Sequence, residues 1–238
     1  DWRAAHLLHN VYYCDRPREF FEGTQDRLLE ACSAIGRAEP AAIQVALECL
    51  MLSGCSMVVA GSSAPASRGE HLISHYIDMK AALNGTQHDF HGTQVGVATV
   101  YCLGLWERIL RLEQHDIDID ACIEAMPKPE DVAATIDADW GPIAMEIHEQ
   151  WNQKMPTPES LRVELETFSR NIPALREQLK KDLLPASTVA RAIEACGGPT
   201  RPEDLTSPLP DFQNALSRAR YIRNRFTVLD LAADLGVS

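Results

Sequence analysis

Apolar residues recur every three or four positions along most of the chain, which is the spacing of one face of an α-helix. The segments DWRAAHLLHNVYY, HGTQVGVATVYCLGLWERILRL and PESLRVELETFSRNIPALREQLKKDLL all follow this period. No run of strict apolar and polar alternation is long enough to predict a strand, and no G-x-G-x-x-G fingerprint or fixed repeat is present. The pattern predicts an all-α, multi-helix bundle over residues 1–238.

Punctuating residues mark the ends of several predicted helices. Pro17 opens the helix PREFFEGTQDRLLEACSAIG, because proline suits the first helical turn. The sequence S-R-G-E predicts a capping box in which Ser67 caps the next helix and Glu70 reaches back to it. Thr227 is predicted to cap the last helix, which Gly236 ends.

The most apolar segment is IQVALECLMLSGCSMVVAG, residues 43–61. Its length would permit a membrane span, but Gln44, Glu48 and several small residues interrupt it. We therefore expect a buried core helix rather than contact with a membrane.

Charge and cysteine content narrow the class of protein further. The formal net charge is −12, whereas a phosphate backbone requires a basic face, so nucleic acid is not an expected partner. The seven cysteines are scattered without a C-x-x-C pair, which favours buried reduced thiols in a cytoplasmic protein.

Three histidines form a candidate metal site. His71 and His75 are four residues apart, so they share one helix face with Cβ atoms about 5–6 Å apart. The segment after that helix is long enough to return and place His91, at the start of the next helix, beside His71. Such imidazoles suit zinc or iron. The alternative is a pair of half-exposed histidines that bind nothing, on a helical interaction module without catalytic activity.

A second alternative uses the adjacent pair His88 and Asp89. In metal-dependent phosphohydrolases of the HD type, a histidine, a His-Asp pair and a distant aspartate bind the ion, and His71, His88 and Asp89 could imitate that order. Here, however, the pair lies in a short polar loop rather than in a helix.

Two segments are candidates for binding an anion. Residues 61–67 present amides and hydroxyls at a helix N-terminus, which suits an anionic or polyol ligand but also fits an ordinary capped turn. The segment SRARYIRNR, residues 217–225, contains four arginines. They could stabilise the C-terminus of a helix, where positive charge is favourable, or they could bind a phosphate.

Several of these segments together resemble a known family. GSSAPASRGEHLISHYID (61–78), HGTQVGVAT (91–99), ARYIRNRFTVLDL (219–231) and the opening DWRAAHLL are similar to the C-terminal helical domain of glycerol-1-phosphate dehydrogenases. These enzymes belong to the superfamily of iron-containing alcohol dehydrogenases and dehydroquinate synthase. The resemblance runs from Asp1 to Gly236.

The resemblance implies a metal-dependent oxidoreductase of phospholipid biosynthesis that interconverts glycerol-1-phosphate and dihydroxyacetone phosphate with NAD(P). It implies that His71 and His91 bind a divalent ion such as zinc, iron or nickel, and that an aspartate preceding Asp1 completes the set. NAD(P) would be bound mainly by an N-terminal domain absent from this chain, which alone is expected to be inactive. A cytoplasmic homo-oligomer acting on a small polyol phosphate is expected.

The same resemblance suggests roles for the remaining site residues. His75 would orient the substrate or relay a proton, and Ser63, Ser67 and Arg68 would bind the substrate. The family commonly has SSRPASG-E-H, whereas Ala64 here replaces the arginine and Arg68 replaces a glycine. Arg68 would supply a displaced cation for a substrate phosphate, or the substrate would be an unphosphorylated polyol such as glycerol.

Overall fold

A computed structural model describes residues 1–180 and 182–238, and within these residues it contains helices and no strand. The all-α prediction is confirmed. The α-helices are α1 (Trp2–His9), α2 (Arg16–Glu19), α3 (Thr24–Gly36), α4 (Pro40–Ala60), α5 (Gly69–Asn84), α6 (His91–Ile109), α7 (Ile119–Glu124), α8 (Pro129–Trp140), α9 (Ala144–Asn152), α10 (Pro158–Leu179), α11 (Ala186–Ala195), α12 (Leu209–Arg218) and α13 (Val228–Asp234).

Helices α5 and α6 form the centre of the bundle. α12 packs against α5, while α11 and α13 pack against α6. On α5, Ile73, Tyr76 and Ile77 are fully buried, because their spacing of three and four residues puts them on one face. Burying a large apolar side chain of this kind contributes about 1.5–3 kcal/mol. The core thus fixes the rotation of α5, and His71 and His75, which are partly exposed, lie on the other side of the helix.

Helices α2, α3 and α4 lie beside this core. None of the buried residues of the main hydrophobic cluster belongs to them. α3 packs against α11, and a Cβ atom added at Gly36 would lie 2.6 Å from the carbonyl oxygen of Ala195. Glycine is required at this crossing, because any larger residue would force the two helices apart.

The prediction that residues 43–61 form a buried core helix is wrong for this chain. α4 buries only Ala42, Ser56 and Ala60, and its apolar residues Met51 and Val58 are 72% and 81% exposed. α4 is long and apolar enough to cross a membrane. Core helices of soluble proteins pass the same test, so one such helix is weak evidence for a membrane span. The error arose because the apolar composition of a segment does not show whether another helix packs over it.

Two predicted helix boundaries also differ. The segment after Pro17 breaks at Gly23, which has a positive φ of 70° and separates α2 from α3. Arg68 rather than Ser67 is the residue that precedes α5, although Glu70 Oε1 does accept a hydrogen bond from the Arg68 amide at 3.0 Å. The cap of the last helix is as predicted, since the Thr227 side chain accepts from the Leu229 amide.

Candidate metal and substrate site

The first turn of α5 orients His71. Its Nδ1 lies 2.7 Å from Glu70 Oε1, and that oxygen also accepts from the Arg68 amide. Burial raises the pKa of the Glu70 carboxyl, but the hydrogen bonds from His71 and Arg68 outweigh burial and leave the pKa below its ordinary value. The ionised carboxylate is acceptor-only, so His71 Nδ1 carries the proton. The lone pair of His71 is therefore on Nε2.

A serine on α5 and the first turn of α6 together orient His91. Its Nδ1 lies 2.8 Å from Ser74 Oγ, and that hydroxyl donates its own proton to Gln94 Oε1 at 2.6 Å. Because the hydroxyl proton is used, Ser74 Oγ accepts from His91 Nδ1–H. The lone pair of His91 is also on Nε2. Hydrogen bonds of this kind, on the ring nitrogen away from the ion, are typical of histidines that bind metals.

The structure brings the three histidines together. The ring centres of His71 and His91 are 5.1 Å apart, those of His75 and His91 5.5 Å, and those of His71 and His75 6.2 Å. Two imidazoles that bind one ion through nitrogens about 2.0–2.1 Å away, at a tetrahedral angle, have ring centres about 5 Å apart. The separation of His71 and His91 fits such a pair.

Asp78 is a residue of this cluster that the sequence analysis missed. His75, Asp78 and His91 each offer a ligand atom within 4.8 Å of the others. Asp78 follows His71 and His75 at the next position of the same helix face, so the i, i+4, i+7 spacing could have identified it. Asp78 Oδ1 also lies 3.0 Å from His88 Nδ1.

Ring orientation distinguishes the two histidine pairs. An ion bound by an imidazole lies in the plane of the ring, along the nitrogen lone pair. The rings of His71 and His91 are inclined at 58°, so their planes can meet at one ion, whereas those of His75 and His91 are stacked at 19°. Burial and the neighbouring His91 and His71 lower the pKa of His75, so its ring is neutral at neutral pH. The ring planes therefore favour His71 and His91 as a pair, while His75, Asp78 and His91 also offer ligand atoms within 4.8 Å of one another.

The loop before α5 is held by two arginines. Arg225 donates through Nη2 to Ser63 Oγ at 3.0 Å and through Nη1 to the Ser67 carbonyl. Arg68 is 9% exposed and donates to the carbonyls of Ala64, at 2.9 Å, and Phe226. Burial and the adjacent Arg225 lower the pKa of Arg68 to about 10. The loop that carries both serines therefore has a defined conformation next to His71.

The four arginines of SRARYIRNR have different surroundings. Arg218 binds Asp139 at 2.8 Å, and Arg220 is buried against Asp230 and Asp234. Arg225 contacts the loop described above. Arg223 is exposed, and no hydrogen bond or ion pair of its guanidinium occurs among residues 1–180 and 182–238.

In the pair His88 and Asp89, the aspartate forms structural hydrogen bonds. Both carboxylate oxygens of Asp89 accept hydrogen bonds, from the amides and hydroxyls of Thr206 and Ser207 at 2.7–2.9 Å. Although partial burial raises it, these bonds lower the pKa of Asp89 to about 2. Asp89 thus ties the start of α6 to a distant loop, and its oxygens are already occupied. The HD-type phosphohydrolase alternative is not supported.

Comparisons with known proteins agree with the resemblance seen in the sequence. No protein-family model matches the chain. The glycerol-1-phosphate dehydrogenase [NAD(P)+] of Halalkalibacterium halodurans is 25% identical over 232 residues, which is 96% of this chain and 47% of that enzyme. The enzyme of the same name from Staphylothermus marinus is 33% identical over 141 residues, which is 53% of this chain and 39% of that enzyme. The one from Halorubrum lacusprofundi is 40% identical over 100 residues, which is 42% of this chain and 27% of that enzyme. The curated homologues of this chain are therefore glycerol-1-phosphate dehydrogenases, of whose length it spans about half or less.

Proposed function

We propose that this chain forms the metal- and substrate-binding part of an NAD(P)-linked oxidoreductase that interconverts glycerol-1-phosphate and dihydroxyacetone phosphate. The observation that carries the proposal is the matched orientation of His71 and His91. Each ring has its Nδ1–H bound by a neighbour on its own or the adjacent helix, and the ring centres are 5.1 Å apart. The names of the homologues support the reaction.

His71 Nε2 and His91 Nε2 would hold the ion, with Asp78 and His75 alongside. Two neutral imidazoles suit zinc and also accept iron or nickel. A divalent ion bound here would polarise the substrate carbonyl and stabilise the alkoxide formed from it. Glu70 and Ser74 would keep both imidazoles in the tautomer that exposes Nε2.

His75 would hold or move a proton at the substrate oxygen, because its ring is neutral and its centre lies 6.2 Å from that of His71 and 5.5 Å from that of His91. Ser63 and Ser67 would bind the substrate through the loop before α5. Arg68 would act mainly by positioning that loop, since its guanidinium is committed to carbonyls.

We place NAD(P) binding and hydride delivery outside residues 1–238, and we expect this chain alone to be inactive. The substrate would be a small polyol phosphate in the cytoplasm, and the active enzyme a homo-oligomer.

The metal site is tested by titrating the purified chain with Zn²⁺ against a chromophoric chelator. We expect one equivalent to bind, and His71→Ala or His91→Ala to weaken binding at least a hundredfold, because each removes a ligand. The exposed His115 provides the matched control, and His115→Ala should bind as the wild type does. Unchanged affinity in His71→Ala, with loss in His75→Ala and Asp78→Ala, would assign the ion to His75, Asp78 and His91 instead.

The reaction is tested in a chimera in which these 238 residues replace the aligned part of the Halalkalibacterium halodurans enzyme. Reduction of dihydroxyacetone phosphate by NADH or NADPH is the expected result. A folded, zinc-loaded chimera that reduces no dihydroxyacetone phosphate would contradict the proposed reaction.

A further inference from the structure

The segment at residues 222–226 presents two arginines that form no ion pair with a carboxylate among the residues that the structure describes. Arg223 has no partner among the described residues, and Arg225 contacts only the Ser63 hydroxyl and the Ser67 carbonyl through its side chain. The two preceding arginines differ, since Arg218 is paired with Asp139 and Arg220 with two aspartates. In a chain of net charge −12, this is a local excess of positive charge.

The backbone of this segment is held from several sides. The Asn224 amide donates to Gln150, and the Asn224 side chain donates to Gln153. Lys154 Nζ donates to the Arg225 carbonyl at 2.9 Å, and Arg68 donates to the Phe226 carbonyl. The backbone that carries the two arginines therefore needs no ordering when a ligand binds, and the Arg225 side chain is already held by the Ser63 hydroxyl and the Ser67 carbonyl.

The side chain of Arg225 contacts the loop before α5, and α5 carries His71 in its first turn. Arg225 reaches Ser63 at 3.0 Å. Arg225 also donates to the carbonyl of Ser67, four residues before His71, and the Arg223 carbonyl accepts from the Arg225 amide at 2.8 Å. In dihydroxyacetone phosphate the carbonyl oxygen and the phosphorus are four bonds apart, or about 4–5 Å. A substrate carbonyl at His71 would therefore leave the phosphate one helical turn or less from the loop that Arg225 contacts.

A nearby cavity is a less suitable phosphate site for the same substrate. It measures about 460 Å³ and its wall includes Arg68, Arg225 and Lys154. None of His71, His75 and His91 lines it. Lys154 is moreover already paired with Asp230 at 2.7 Å.

We propose that Arg223 and Arg225, together with the Ser63 hydroxyl, bind the phosphate group of the substrate. This assignment rests on the proposed function and adds the residues that select a phosphorylated polyol over glycerol. The guanidinium presents several donors in a planar fork that matches phosphate oxygens. Arg68 is the arginine that the sequence analysis expected to bind the substrate. In this assignment it instead stabilises the site by donating hydrogen bonds to the Ala64 and Phe226 carbonyls.

The test is a calorimetric titration of the purified chain with glycerol 1-phosphate and, separately, with glycerol. The wild type should bind the phosphate ester more tightly than glycerol. Arg223→Gln and Arg225→Gln should each weaken binding of the ester about tenfold to a hundredfold, because each removes charge-assisted hydrogen bonds. Arg225→Lys keeps the charge but loses the fork, so it should have an intermediate effect.

Arg170→Gln is the matched control, since Arg170 is exposed on α10 and the one hydrogen bond of its side chain within residues 1–180 and 182–238 is to the Glu166 carbonyl. Arg223→Gln removes no contact that holds the fold, so a loss of binding there is not a loss of folding. Equal binding by all variants, no preference for the ester, or no binding of the ester by the wild type would overturn the assignment. Zn²⁺ binding is measured in parallel: a chain that binds the ester through these arginines but no Zn²⁺ would refute the metal-dependent reaction alone.

Discussion

Replacing Glu70 by glutamine tests whether α5 prepares His71 to bind a metal. The Glu70 carboxylate accepts from His71 Nδ1 at 2.7 Å and from the Arg68 amide at 3.0 Å. Glutamine keeps an oxygen of the same reach, so the ring orientation and the N-terminal turn of α5 can be retained. What is lost is the negative charge that makes the imidazole a stronger donor to an ion.

The expected size of the effect follows from that difference. A hydrogen bond to a charged group contributes about 1.5–3 kcal/mol and a neutral one about 1 kcal/mol. The loss is then about 0.5–2 kcal/mol, so the dissociation constant for Zn²⁺ should rise between about twofold and thirtyfold. Stabilisation by a ligand follows the ratio of its free concentration to its dissociation constant, so the gain in melting temperature at fixed Zn²⁺ should shrink as well.

Zn²⁺ affinity is measured by competition with a chromophoric chelator, and unfolding of the metal-free chain is measured in urea. The control is Glu146→Gln, at an exposed position on α9. Equal Zn²⁺ affinities in Glu70→Gln and the wild type, with both chains folded, would show that His71 does not bind the ion through Nε2.

Two further predictions concern the framework around the site. Asp89→Ala removes the acceptor of bonds from Thr206 and Ser207, so it should lower the free energy of unfolding in urea by about 1.5–3 kcal/mol and weaken Zn²⁺ binding; an unchanged midpoint would contradict this. Burial raises the pKa of Asp234 to about 6 despite its contact with Arg220, so the folded state binds more protons than the unfolded state between pH 4 and 6. Stability should therefore fall as pH rises through that range, by at most about 3 kcal/mol from this group, and Asp234→Asn should remove that part of the fall; parallel pH curves for the two proteins would refute it.

The helical fold was largely predictable, because the period of apolar residues follows directly from burial on one face. Ile73, Tyr76 and Ile77 on α5 show this relation clearly. The exposure of α4 was not predictable in the same way, since Met51 and Val58 are as apolar as core residues and only the tertiary arrangement determines whether anything covers them. 

The residues of the site that share one helix could be predicted from their spacing, whereas contacts between residues far apart in the sequence could not. His71 and His75 could be grouped from their separation, and Asp78 could have been added by the same rule. The roles of Ser74 and Arg225 could not be found this way. The Ser74 hydroxyl contacts His91 across 17 residues and Arg225 contacts Ser63 across 162, and no local pattern encodes such pairs.

The bonds from Thr206 and Ser207 to Asp89 have a consequence for the order of events during synthesis. They join residues 117 and 118 positions apart, and Asp89 is two residues before His91. When the histidines leave the ribosome, the segment that anchors the start of α6 has not yet been made. Contacts between distant residues form late, because the chain between them must first be ordered. Full metal affinity should therefore arise only after Thr206 and Ser207 have emerged, so that the ion is captured by a largely formed bundle and does not nucleate it.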